Sequence, residues 1–274
     1  MFYKKNNYHK QTIDIKHNYW RIKNDLSWIV GYKENINDLV CLYWLDINLK
    51  NVLFPWVLKL EREIKSCFVY YYKEKFQSEN SSFLKDANNY SITTNSIKLK
   101  VRSFIKRIKE VNNESDSSID SVVFSLTFGE FINIFIYFSN EVKINVAKHL
   151  GLNSAIFANI LKFLSILRNA IAHNKTIIKI RDEKNNQRFS LKSAFFDFDI
   201  SKKEIDIIST NVSGSIYVIK KVLLTIDKKS KVKKLIKDVK RNLKTYKKSL
   251  GNKEMYQNTI GKIFLKYFNH IMRI

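Results

Sequence analysis

The residues best suited to chemistry in this chain lie close together: Arg168, Asn169 and His173, within the run LRNAIAHN at 167–174. A guanidinium can hold a phosphate through two parallel hydrogen bonds and offset the added charge of a pentacoordinate transition state. An imidazole can take up and release a proton near neutral pH. The residue types therefore suit phosphodiester chemistry. On one α-helix, residues five apart point about 140° away from one another, so Arg168 and His173 do not share a helical face. A helix that kinks or ends there, or a site shared with a second chain, would let both reach one phosphate. The spacing alone is common in basic proteins. Taken alone, it more often marks an ordinary helix end, with Arg168 paired to an acid and His173 set against the helix dipole.

The elements that must carry these residues are helical. Among 274 residues there are six glycines and one proline, too few turn formers for a sheet-rich fold. Hydrophobic residues make up 45%, enough for a sizeable core. The expected fold is all-α. The motif falls at the end of a helix over 153–174, whose stripe is Ile156, Ile160, Phe163, Leu164, Leu167 and Ile171. A strong helical stretch runs from Leu39 to about Phe76, with a break expected near Pro55. Residues 77–95 and 112–121 read as loops, with a basic helix from Ile97 to Val111 between them. Thr127 and Glu130 form a capping-box signature for a helix ending near Tyr137. Residues 176–207 alternate and are expected to hold a small hairpin. Ile216 to Leu250 reads as one or two helices, with Val232, Leu235, Ile236, Val239, Leu243, Tyr246 and Leu250 on one stripe. Tyr19, Trp20 and Trp28 are candidate anchors for a polar N-terminal arm.

Lys and Arg outnumber Asp and Glu by 49 to 25, a net charge of +24. Self-repulsion of that size calls for a polyanionic partner. The cations concentrate in two places. One is the 97–111 helix, with Lys98, Lys100, Arg102, Lys106 and Arg107. The other is the C-terminal stretch, with Lys228, Lys229, Lys231, Lys233, Lys234, Lys237, Lys240, Arg241, Lys244, Lys247 and Lys248 against Asp238 alone. A charge run is usually a solvated face, but eleven cations against one acid exceed what solubility requires. An RNA-backbone surface is the preferred reading, and strong salt dependence follows from it. The same amphipathic helix could lie on an anionic membrane, the less favoured option. No run reaches the roughly 18 uninterrupted apolar residues of a spanning helix, and MFYKKNNYHK has no signal-peptide core. A cytoplasmic protein is expected. Cys41 and Cys67 have no metal-ligand spacing and the five histidines are scattered, so neither metal nor cofactor is expected.

RNAIAHN resembles the Arg-Asn-x-x-x-His signature of HEPN ribonucleases. LTFGEFINIFIYF (126–138) resembles the Leu-(Ser/Thr)-Phe-Gly helix start that precedes the signature in bacterial abortive-infection (Abi) proteins of the Abi-D/Abi-F kind. LYWLDINLKNVLFPWVLKLEREIKSCF (42–68) resembles an earlier block of the same family, an Asp followed by a Leu-rich helix and a Glu-x-x-(Ile/Leu)-(Arg/Lys) ending. The three blocks stand in family order over roughly 40–175. The resemblance implies a HEPN-like helical bundle related to the HEPN domains of type VI CRISPR effectors. It also implies phage defence and a structured non-coding RNA as partner. Cleavage would be metal-independent. The RNA's own 2′-hydroxyl would attack the phosphate, with His173 moving the proton, Arg168 clamping the phosphate and Asn169 orienting it. A cyclic phosphate would result. HEPN sites usually face each other in pairs, which implies a homodimer through the 153–174 helix. A non-catalytic RNA-binding protein on the same fold is the alternative. Glu61 and Lys65, in the 42–68 block, read as an exposed helix pair, and Phe128–Gly129 as helix-start packing. The expected organisation is an arm at 1–35, the HEPN-like domain at 36–210, and basic helices at 211–274 packed on that core.

Overall fold

The computed structural model describes residues 36–91, 101–106, 118–178, 212–226 and 229–249, with Leu99, Ile108, Ser201 and Ile205 as single positions. Among the described residues every regular element is helical. The 1–35 arm and most of the 176–207 hairpin expectation lie outside the described residues.

The longest element is α1, Ile36–Phe76. Leu42, Leu45, Leu49, Leu53, Val57, Leu60, Ile64, Phe68 and Tyr72 recur at three and four along it and are all buried. Contrary to the expected break, α1 passes through Pro55 without interruption. A proline inside a helix removes one backbone bond and costs about 3 kcal/mol. Here the apolar stripe is buried on both sides of it, and each fully buried side chain contributes about 1.5–3 kcal/mol. The packing outweighs the local penalty, and Pro55 itself faces outward.

The connector after α1 is not a plain loop. It holds a short helix α2 (Ser82–Lys85) and a 3₁₀ turn (Ala87–Asn89). Tyr72 Oη donates to the Asn80 carbonyl (2.8 Å) and accepts from the Leu84 amide (3.2 Å), and Tyr90 Oη donates to the Leu84 carbonyl (2.6 Å). Three helices then follow: α3 (Ile119–Ser125), capped by Ser118, α4 (Phe128–Tyr137) and α5 (Asn140–His149). The capping box read from Thr127 and Glu130 is present in full. Helix α5 was not anticipated, because only Val142, Val146 and Ala147 of its ten residues are buried.

Helix α6 (Ser154–Ala172) begins on the Asn153 side chain, which accepts from the Ala155 amide. It packs on α1, α4 and α5. By length and hydropathy α6 could cross a membrane, yet Ile160, Leu161, Phe163, Leu164 and Leu167 are buried in the bundle. The C-terminal stretch forms two helices, α7 (Val212–Ile226) and α8 (Lys229–Ser249). Both pack on α1 and on each other. The α8 stripe from Val232 to Tyr246 is buried as its periodicity predicts. That packing turns the described apolar residues of α8 into the bundle. One continuous core joins α1 to α8.

Candidate functional site at the end of α6

Helix α6 ends where the motif ends. His173 is its C-cap residue, and Asn174 follows in the left-handed region at φ 51°. The Asn174 amide donates to the Ile171 carbonyl (3.0 Å) and the Lys175 amide to the Ala170 carbonyl (2.8 Å). This pair of bonds is the Schellman stop, with asparagine in the position glycine usually takes. The α5–α6 turn uses the same stop with Gly151 at φ 59°. The chain thus turns away directly beyond His173, whose side chain is exposed, as is that of Asn169. The terminating helix that the five-residue spacing called for is present. Arg168 and His173 make no direct contact with each other.

Arg168 is paired to an acid. Its Nε lies 3.7 Å from Glu61 Oε2, and its Nη1 donates to Asn169 Oδ1 over a long 3.4 Å. Neither Arg168 Nε nor Glu61 Oε2 makes a hydrogen bond. The contact is therefore a charge pairing at the Nε side. Glu61 also holds Lys65, whose Nζ lies 3.0 Å from Oε1 and donates to the Leu126 carbonyl at 2.6 Å. Glu61 and Lys65 are not the exposed pair expected of i and i+4 residues; their side chains are 13% and 5% exposed. The reason is tertiary: α6 and the end of α3 close over that face of α1. Phe128 is buried as expected, and a Cβ on Gly129 would meet Ser165 Oγ at an ordinary 3.7 Å.

A second acid–lysine pair on α1 meets the chain just past the motif. Asp46 is 3% exposed. Its Oδ1 accepts from Thr176 Oγ1 (3.1 Å), the Ile177 amide (2.7 Å) and the Ile178 amide (3.1 Å). Its Oδ2 lies 2.6 Å from Lys50 Nζ, which donates to Asn174 Oδ1 at 3.0 Å. Beside this cluster a cleft of about 480 Å³ opens between α1 and the end of α6, with Phe54 and Pro55 on one wall and Ile171 and Ala172 on the other. The sequence reading passed over Asp46 and Lys50 as site residues. A signal was available: an acid sits at 46, beside Leu42, Leu45 and Leu49 on the apolar stripe, where a fourth apolar residue would be ordinary.

The remaining candidate cations lie on α8 and on the 101–106 segment. Lys231, Lys233, Lys234, Lys237, Lys240, Arg241, Lys244, Lys247 and Lys248 all face outward from α8. Arg241 pairs with Asp238 at 3.1 Å. Arg102 and Lys106 are exposed on the 101–106 helical segment. Lys98, Lys100, Arg107, Lys228 and the side chain of Lys229 lie outside the described residues.

The profile of the Abi-like protein family matches residues 2–179, from the N-terminal segment through the motif to the end of the Asp46-bound loop. No curated protein and no solved structure gave a match. A match over well more than half of the chain, containing α1, α4 and α6 in order, decides its kinship: the chain belongs to the Abi-like protein family, a family of abortive-infection proteins.

Proposed function

We propose that this protein is a HEPN-type, metal-independent endoribonuclease of a phage-defence system, acting on or with a structured RNA. The observation that carries the reading is the end of α6, where Asn169 and His173 are exposed and Arg168 meets α1 through its Nε side, with only a long Nη1 bond to the neighbouring Asn169. In that arrangement the terminal guanidinium nitrogens would take the phosphate and His173 would move the proton between the 2′-hydroxyl and the leaving 5′-oxygen. The outer face of α6 carries Ala155, Lys162, Asn169 and His173 to solvent. A second copy laid along that face would bring two motifs together, which is the homodimer this reading includes. The α8 cations supply RNA-backbone contacts.

The test is His173→Ala. Cleavage of RNA, and any growth arrest on expression, should disappear, whereas RNA affinity should stay within a few fold of wild type. Unchanged cleavage by the variant rejects the assignment. One observation favours a second reading, a non-catalytic RNA-binding protein. Glu61 already supplies Arg168 with a carboxylate, and a carboxylate competes with phosphate for a guanidinium. Under that reading RNA binds but no cyclic-phosphate ends form.

A further inference from the structure

Arg168 and His173 lie on different faces of α6, so bringing both to one phosphate depends on how the end of that helix and the chain beyond it are held against their neighbours. Helix α1 meets both. Glu61 takes the Nε side of Arg168, and fifteen residues earlier Asp46 and Lys50 take the chain immediately beyond His173. Asp46 alone accepts three hydrogen bonds from Thr176, Ile177 and Ile178, and through Lys50 it reaches the side chain of Asn174. The Schellman bonds shape the turn, but they lie within α6 and its exit and do not tie that end to anything else. The Asp46–Lys50 cluster supplies the tie to α1, beside a single backbone bond from the Val212 amide of α7 to the Ile178 carbonyl at 3.1 Å.

Stability alone is a poor reason for such a cluster. Two buried opposite charges lose hydration that their attraction only roughly offsets, and apolar replacements of similar volume are often as stable. What an ion pair with directed hydrogen bonds adds is a fixed geometry. We propose that Asp46 and Lys50 are positioning residues: a latch on α1 that registers the exit of α6, and with it His173, against the Arg168 that Glu61 holds on the same helix. The inference rests on the ribonuclease reading for its catalytic consequence and on the geometry alone for the placement of His173.

Asp46→Ala removes the three hydrogen bonds to Thr176, Ile177 and Ile178 and the ion pair with Lys50, leaving only the Lys50–Asn174 bond of the latch. Displacing a catalytic group by about an ångström costs on the order of tenfold to a hundredfold in rate, so kcat for RNA cleavage should fall by that range. KM and RNA affinity should not change, because Asp46 is buried and presents no surface to a ligand. Asp46→Asn keeps an oxygen acceptor for the loop and ends the ion pair, and it should recover part of the lost kcat. It also serves where Asp46→Ala does not fold. Asn174→Gly keeps the left-handed turn and removes only the Lys50 contact; a kcat loss smaller than that of Asp46→Ala is expected. A folded Asp46→Ala protein with wild-type kcat, or with KM raised and kcat intact, overturns the latch as a catalytic device.

Two measurements need no activity. Hydrogen exchange should accelerate at the Ile177 and Ile178 amides of Asp46→Ala or Asp46→Asn. The ring resonance of His173, assigned by its loss in His173→Ala, should shift or broaden in the same variants. If the wild-type protein cuts no RNA, the ribonuclease reading fails and these two measurements still decide the latch. An unchanged His173 resonance overturns it in either case.

Discussion

Glu61 holds two cations at once, Lys65 within the α1 face and Arg168 across from α6. Its removal strands a nearly buried ammonium and frees the guanidinium. Glu61→Ala should therefore destabilise the protein by about 3 kcal/mol, the lower end for a buried ion pair stripped of one partner. Arg168→Ala should cost clearly less, because Glu61 keeps Lys65; denaturant melts of the two variants read the difference directly. The reverse order would mean that Arg168, not Glu61, anchors the cluster. Cys67 tells a simpler story. Burial, with the negative charge of Glu63 added, pushes its thiol up to about 11. The thiolate is the reactive form, so Cys67 should resist alkylation at pH 8 until the protein unfolds, and mass spectrometry of labelled peptides checks this. At this scale the motif was legible because Arg, Asn and His are chemically distinctive and close in sequence. Glu61, Lys65 and Lys50 were not, and Asp46 showed only as an acid set into the apolar stripe. An acid and a lysine four apart look the same in sequence on an exposed face and under a neighbouring helix, and only the packing of α6 distinguishes them.

Helices with a clear stripe or a cap were legible: α6 from its leucine and isoleucine spacing, α4 from Thr127 and Glu130, α8 from Val232 through Tyr246. Helix α5 was hidden by its small apolar face, and the continuity of α1 by the strong local meaning of Pro55. That continuity carries a test. Since Pro55 faces outward in an unbroken helix, Pro55→Ala would restore the backbone donor, and a gain on the order of 1 kcal/mol or more is expected from helix propensity. A loss of stability in thermal melts would show that the ring is needed where it lines the cleft. Gly151 gives the opposite sign. Its φ is 59°, and a Cβ there would clash with the Thr225 Cγ2 of α7. Gly151→Ala should cost at least the 1–2 kcal/mol of a left-handed alanine. The connector after α1 adds a pH dependence. Burial raises the Tyr72 hydroxyl to about 12, even though hydrogen bonding at its oxygen by the Leu84 amide works the other way. A tyrosine whose folded value lies above its free value of 10 stabilises the fold fully below pH 10, and that contribution is lost as pH rises from 10 towards 12. Tyr72→Phe should weaken this alkaline loss of stability, as pH-dependent denaturant melts would show.

At the scale of the whole molecule, composition alone carried the all-helical architecture and the excess of positive charge. It could not say that α8 lays its stripe on α1 and turns its cations outward, because an amphipathic helix offers the same pattern to a bundle and to a membrane. If RNA lies on the outward cations, as proposed, its binding must respond to salt. Each phosphate contact on a single strand contributes about 0.7 to the slope of log affinity against log salt. Replacing Lys233, Lys237, Lys240 and Lys244 by Gln should weaken binding and flatten that slope by up to about 3. A slope equal to wild type would move the RNA surface elsewhere. We have proposed that Arg168, Asn169 and His173 cleave RNA by internal attack of the 2′-hydroxyl. The most direct measurement is the chemistry of the RNA ends left by purified protein in the presence of EDTA. Wild-type protein should leave 2′,3′-cyclic phosphate and 5′-hydroxyl ends, and His173→Ala should leave none. Ends of any other kind, cleavage abolished by EDTA, or the same ends from His173→Ala would contradict the proposal.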